Sequence, residues 1–183
     1  VEGMMPEKQS LDYGSYIIEI DSEREWLDDE QNPLNYNDCS KIICCAPVDM
    51  FGHEKMEEYE KDVVSLEKYL IDNDIIHIPV YYHGKDDVIL STEEYVNRLR
   101  GLKVGFAYVK TSHFVGHFFG FNSVTDFLKH QVEVYDYYLR GEVYYYKIIN
   151  KETGEVVDSF GHFFGPDHEK SGLLNMALDF IEL

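Results

Sequence analysis

The chain has 183 residues, 44% of them hydrophobic, with 15 Tyr and 11 Phe, which is enough apolar surface to build a core without metal or disulfide support. Its 35 Asp and Glu against 16 Lys and Arg leave a net charge of −19, which repels phosphate and argues against a nucleic-acid binder of the usual basic kind. No apolar run approaches the ~20 residues that span a bilayer, and VEGMMPEKQS lacks the basic-then-apolar order of a signal peptide, so a cytoplasmic location is expected.

Residues 1–10 read as flexible, with Met4 or Met5 as the native start. YIIEI at 16–20 is a short strand, and 21–37 reads as an acidic loop or a single helical turn around Trp26. KIICCA at 41–46 is a strand suited to burial on both faces, closed by Pro47. Over 53–72, Met56, Tyr59, Val63, Leu66 and Leu70 fall near one face and predict an amphipathic helix with an acidic outer surface. IIHIPVYY at 75–82 is a strand in which Pro79 marks an edge or a bulge. A short extended piece at 88–90 follows, then a helix opened by Ser91-Thr92-Glu93-Glu94 and closed at Gly101, then a strand at 104–109.

The clearest signal lies in the last third. Val124, Phe127, Leu128, Val132, Tyr135 and Leu139 recur at helical spacing, with Ser123 or Asn122 to cap the start and Gly141 to end the helix. From 142 to 150 the pattern switches to alternation, and Lys151-Glu152-Thr153-Gly154 turns the chain into a second strand at 155–163. A final helix carries Leu173, Leu174, Met176, Ala177, Phe180 and Ile181 as its apolar stripe. With no linker or low-complexity run, the expected fold is a single α+β domain over 1–183: an antiparallel or mixed sheet with three to four helices packed mainly on one face.

Cys39, Cys44 and Cys45 form no CxxC pair and read as reduced, small hydrophobes. GHFFG occurs twice, at 116–120 and 161–165. His113, His117 and His162 are the candidate acid/base residues should the protein be an enzyme acting on RNA, and together with His168 they could hold a divalent metal if the two segments met. Gly116 and Gly120 argue against the helix a His113/His117 site would need, so no metal and no cofactor is expected. The tyrosine row at 144–146 could stack bases, but Glu142, Glu152, Glu155 and Asp158 around it favour a half-buried sheet. The carboxylates of 54–62 (Glu54, Glu57, Glu58, Glu60 and Asp62) with Asp28, Asp29 and Glu30 are the candidate partner-binding residues. A domain of this size is on the order of 40 Å across, so its excess charge approaches that of a short duplex, which carries about one charge per 1.7 Å.

IPVYYHGKDDVILST, GFAYV, YDYYLRGEVYYYKI and GEVVDSFGHFFG, in that order over residues 75–165, resemble a family of small acidic proteins carried by phages and mobile elements of Gram-positive bacteria. The resemblance covers about half the chain. The family's Gly- and Trp-rich loop is replaced here by EEYVNRLRGLK. The resemblance implies a setting beside antirestriction and anti-CRISPR genes in a bacterial host cell. Charge and resemblance together lead to the expectation of a nucleic-acid mimic, an inhibitor that binds a CRISPR effector nuclease or restriction enzyme and does not itself bind nucleic acid. A histidine-dependent nuclease or RNA-processing factor is the alternative, and a non-enzymatic interaction subunit or homodimer a further one.

Overall fold

The computed structural model describes residues 8–36, 38–85, 88–109 and 120–182. Over these residues the chain is α+β, with three α-helices and antiparallel sheets. It departs from the single expected sheet by building two four-stranded sheets and a two-stranded ribbon. The described residues gather into two compact units, one from Val1–Gln31 with Gly141–Leu183 and the other from Asn32–Arg140.

The chain opens in the first unit with β1 (Gln9–Tyr13) and β2 (Tyr16–Ser22), paired about a tight turn in which Gly14 takes φ +58°. Part of the stretch expected to be flexible, Gln9 and Ser10, is therefore strand. Alternation along β2 turns Ile18 and Ile20 inward. Three short 3-10 turns then carry the acidic stretch, the first at Arg24–Trp26.

The second unit is a sheet of β3 (Ser40–Cys44), β8 (Leu102–Val109), β4 (His77–Lys85) and β5 (Val88–Ser91), in that spatial order, with a helix on each face. In β3 (Ser40–Cys44), Ile42 and Cys44 point to one face and Ile43 to the other. The helix α1 (Val63–Asp72) buries Leu66 and Leu70 on the Ile43 side. On the opposite side α2 (Val124–Leu139) buries Phe127, Leu128, Val132 and Tyr135. Helices on one face only are thus not what this unit adopts, because a strand apolar at successive positions has two faces to cover.

Between the two helices run β4 (His77–Lys85), β5 (Val88–Ser91), the ribbon β6 (Tyr95–Val96) and β7 (Leu99–Arg100), and β8 (Leu102–Val109). Pro79 sits where β4 is paired to β8 alone, since the pairing of β4 with β5 begins at Tyr81, opposite Ser91, and a register shift against β8 follows at Val80/Tyr81. The helix expected at 91–101 is instead the β6–β7 ribbon. Asn97 and Arg98 both take positive φ, 50° and 66°, and so form the tight two-residue turn that suits a hairpin. Gly105 is required by the sheet itself: a Cβ there would lie 1.7 Å from the Ile43 carbonyl oxygen.

After α2 the chain returns to the first unit through Gly141, at φ +73°. There β9 (Val143–Asn150) pairs with β2 and with β10 (Val156–Phe164), completing the order β1-β2-β9-β10. Tyr144, Tyr146 and Ile148 face inward, while Tyr145, Lys147 and Ile149 are half-buried on the other side. Leu173 and Ala177 of α3 (Leu173–Ile181) close this core against them.

Candidate functional site

Among the described residues three carboxylates are buried: Glu23, Glu60 and Asp136. Each accepts backbone N–H groups from a segment it holds in place. Glu60 is fully enclosed, its Oε1 accepting from Lys41 Nζ at 2.5 Å and the Tyr108 hydroxyl at 2.7 Å, its Oε2 from the N–H of Met56 at 2.8 Å and of Glu57 at 3.0 Å. Burial alone would raise this carboxyl, but the bonds from Lys41, Tyr108 and the two backbone groups outweigh it and hold it below the ordinary carboxylate range.

That inward turn explains why the helix expected from residue 53 begins only at Val63. Glu57 and Glu60 cap each other reciprocally around the turn at Glu58–Glu60, and Asp62 then starts α1 by accepting from the Ser65 N–H at 2.8 Å. Ser65, through side chain and backbone, also keeps Asp62 below its usual value. Of the five carboxylates expected on the acidic outer surface of that helix, Glu54, Glu57, Glu58 and Asp62 are exposed and Glu60 is inside. Glu58 pairs with Lys61.

Asp28, Asp29 and Glu30 belong to the first unit, where they are exposed, and Asp28 accepts from the Glu30 N–H at 2.8 Å. The charge is unevenly shared between the units. The smaller first unit carries 18 Asp and Glu against five Lys and Arg, a net −13 of the chain's −19. The acids of 54–62 in the second unit stand out in the sequence because they lie within nine residues, whereas the density of the first unit becomes visible only once the two ends of the chain are seen to share a fold.

His113 and His117, with all of the first GHFFG but Gly120, lie outside the described residues. His162, in the second, occupies an irregularity of β10 between Phe160 and Phe163 and takes φ +65°. Its N–H donates to Glu23 Oε1 at 2.7 Å, and its Nε2 lies 3.6 Å from Glu23 Oε2, an ion pair whenever the ring is protonated. Gly161 beside it leaves room for that carboxylate, since a Cβ there would fall 2.2 Å from Glu23 Oε1 and force the side chain to shift. Glu23 is 139 positions away in the chain, so nothing near the histidine in sequence announces it. A left-handed non-glycine residue costs about 1–2 kcal/mol. His162→Gly is therefore expected to raise stability by about 1 kcal/mol, read as a higher urea midpoint; an unchanged or lower midpoint would mean that the imidazole's contact with Glu23 outweighs the backbone strain.

Burial pushes the Cys44 thiol up to about 12 and also raises Cys45, which leaves both as inert protonated thiols rather than nucleophiles. Among the described residues no three His, Cys, Asp or Glu side chains gather to hold a metal ion. Burial lowers the His168 imidazole below its ordinary value against the opposing charge of Asp167, and the ring packs edge-on to Tyr144 at 4.8 Å. A groove of about 560 Å³ lies between β5 and α2. Two cations on its wall face carboxylates: Arg140 pairs with Asp136 at 2.9 Å, and Lys129 lies 3.8 Å from Glu93.

Comparison with protein-family models, with curated proteins and with solved structures finds no match to this chain.

Proposed function

We propose that this protein is a counter-defence inhibitor that occupies the basic nucleic-acid-binding surface of a host effector, of the CRISPR-nuclease or restriction-enzyme kind. The observation that carries the reading is the net −13 concentrated in the smaller unit, and the resemblance of residues 75–165 to acidic phage and mobile-element proteins agrees with it. Such a surface competes with nucleic acid for Lys and Arg side chains and is steered to them over a Debye length of about 8–10 Å. The exposed carboxylates of the first unit, Asp28, Asp29 and Glu30 among them, make the contact, with Glu54, Glu57, Glu58 and Asp62 as a lesser contribution from the second. Glu60 acts only through the fold.

The test is a pull-down from a Gram-positive host lysate at about 0.1 M and about 0.5 M salt, repeated with competing duplex DNA. A nuclease that is captured at low salt, weakens at least about tenfold at high salt and is displaced by DNA supports the proposal. A partner held equally at both salt concentrations, and indifferent to DNA, sinks it.

A second reading, histidine chemistry on RNA, has one observation in its favour: the strained His162 backbone secured by buried Glu23. RNA shortened by the purified protein, with the activity lost in His162→Ala, would replace the first reading by this one.

A further inference from the structure

Trp26 is the chain's single tryptophan, and more than half of it, 57%, is exposed. It stands at the end of the first 3-10 turn with Glu25 before it, and its ring meets that of Tyr145 at 5.6 Å, tilted by 53°. Tyr145 lies on β9 directly opposite Asp21 of β2. Burial, and then the charges of Asp21, Glu19 and Glu23, push its hydroxyl above the usual value against the opposing pull of Lys8. A cation already rests on Tyr145: Lys147 Nζ lies 5.4 Å from its ring centre.

A large indole left in water inside a unit of net −13 is not explained by the core. The faces of indole and phenol attract cations, and arginine does so best where carboxylates can also receive its N–H groups, because its guanidinium is flat, weakly hydrated and a donor at every edge. A lysine ammonium can use the charge but not the flat stacking. The indole adds apolar area to a surface that would otherwise bind by charge alone, and interface energy concentrates at such Trp and Tyr residues.

The geometry points to Trp26, backed by Tyr145 and flanked by Asp21 and Glu25, as the anchor for an arginine side chain on a basic segment of a protein partner. This rests on the inhibitor reading and locates its principal contact on the first unit. Oligo-lysine and oligo-arginine then differ for this protein, although their charge is the same.

The test uses the full chain with nine-residue oligo-arginine and oligo-lysine peptides at about 50 mM salt, followed by calorimetry and by the emission of Trp26. The expected result is tighter binding of oligo-arginine, a change in Trp26 emission with it, and a loss of about fivefold to tenfold in affinity in Trp26→Ala, with Trp26→Phe between the two. The exposed indole makes no large contribution to the core, so the urea midpoint of Trp26→Ala stays near the parent's. Equal binding of both peptides, with Trp26 emission unmoved and Trp26→Ala indistinguishable from the parent, overturns the anchor while leaving the acidic surface intact. If neither peptide binds at low salt, both the anchor and the inhibitor reading fall.

Discussion

Glu60→Ala is expected to cost about 3–5 kcal/mol of unfolding free energy near neutral pH, because removing one partner of a buried ion pair strands the other. Lys41, whose side chain is 14% exposed, loses its counter-charge, and the Tyr108 hydroxyl and the N–H groups of Met56 and Glu57 lose their acceptors. The effect carries a pH signature. Folding lowers the Glu60 carboxyl below its ordinary value, so its contribution is complete above the unfolded value of about 4.3 and fades as pH falls through the lower folded one. Urea midpoints of parent and variant, far apart near pH 7, should therefore converge in acid. A gap that stays constant down to about pH 3 would show that the loss is one of packing and not of charge.

Asp136→Ala is expected to be comparably severe, about 3–5 kcal/mol, and more local in character. Asp136 projects from α2 and accepts from the N–H groups of both Ile89 and Leu90 at 2.9 Å, while its other oxygen holds Arg140. Among the described residues β5 is the outermost strand of its sheet and only Val88–Ser91 long, and this carboxylate supplies an acceptor that a neighbouring strand would otherwise give. Hydrogen exchange at Ile89 and Leu90 should accelerate by about a hundredfold or more in the variant, ahead of exchange in β8. Asp136→Asn keeps one acceptor oxygen and should fall between. Unchanged exchange at these two amides would remove the clamp from the account.

Both carboxylates illustrate what could be read from the sequence and what could not. Periodicity located α2 and its Ser123 cap, the β9–β10 hairpin with Gly154 at φ +73°, and α3, because in each the pattern is local and the capping or turning residue adjoins it. The same rule misplaced residues 53–62, where Met56 and Tyr59 continue the apolar spacing of α1. What ends the helix there is the burial of Glu60 against Lys41, 19 positions away, and Tyr108, 48 positions away. At 91–101 a capping motif outvoted a two-residue turn whose Asn97-Arg98 pair lacks the usual glycine. As for the candidate site, a list of 35 acids carries no information on which are enclosed. Glu23, Glu60 and Asp136 are enclosed by segments remote along the chain, and the Trp26–Tyr145 pair joins residues from its two ends. Trp26 could be noticed as a lone indole in an acidic stretch, whereas its ring contact could not.

The pairing of β2 with β9, Tyr16 against Asn150, also dictates an order of events during synthesis. Everything between Asn32 and Arg140, a unit with both its helices, is translated before the central partner of β2. That intervening unit can collapse as it emerges, whereas the first hairpin waits with Ile18 and Ile20 uncovered until Val143–Asn150 arrives. Bringing the ends of so long an intervening segment together costs on the order of 4 kcal/mol in chain entropy, and less once the segment has compacted. The acidic unit is thus the last part of the molecule to be completed, and a nascent chain arrested inside the inserted unit would carry β1 and β2 but lack β9 and β10, the strands that finish their sheet.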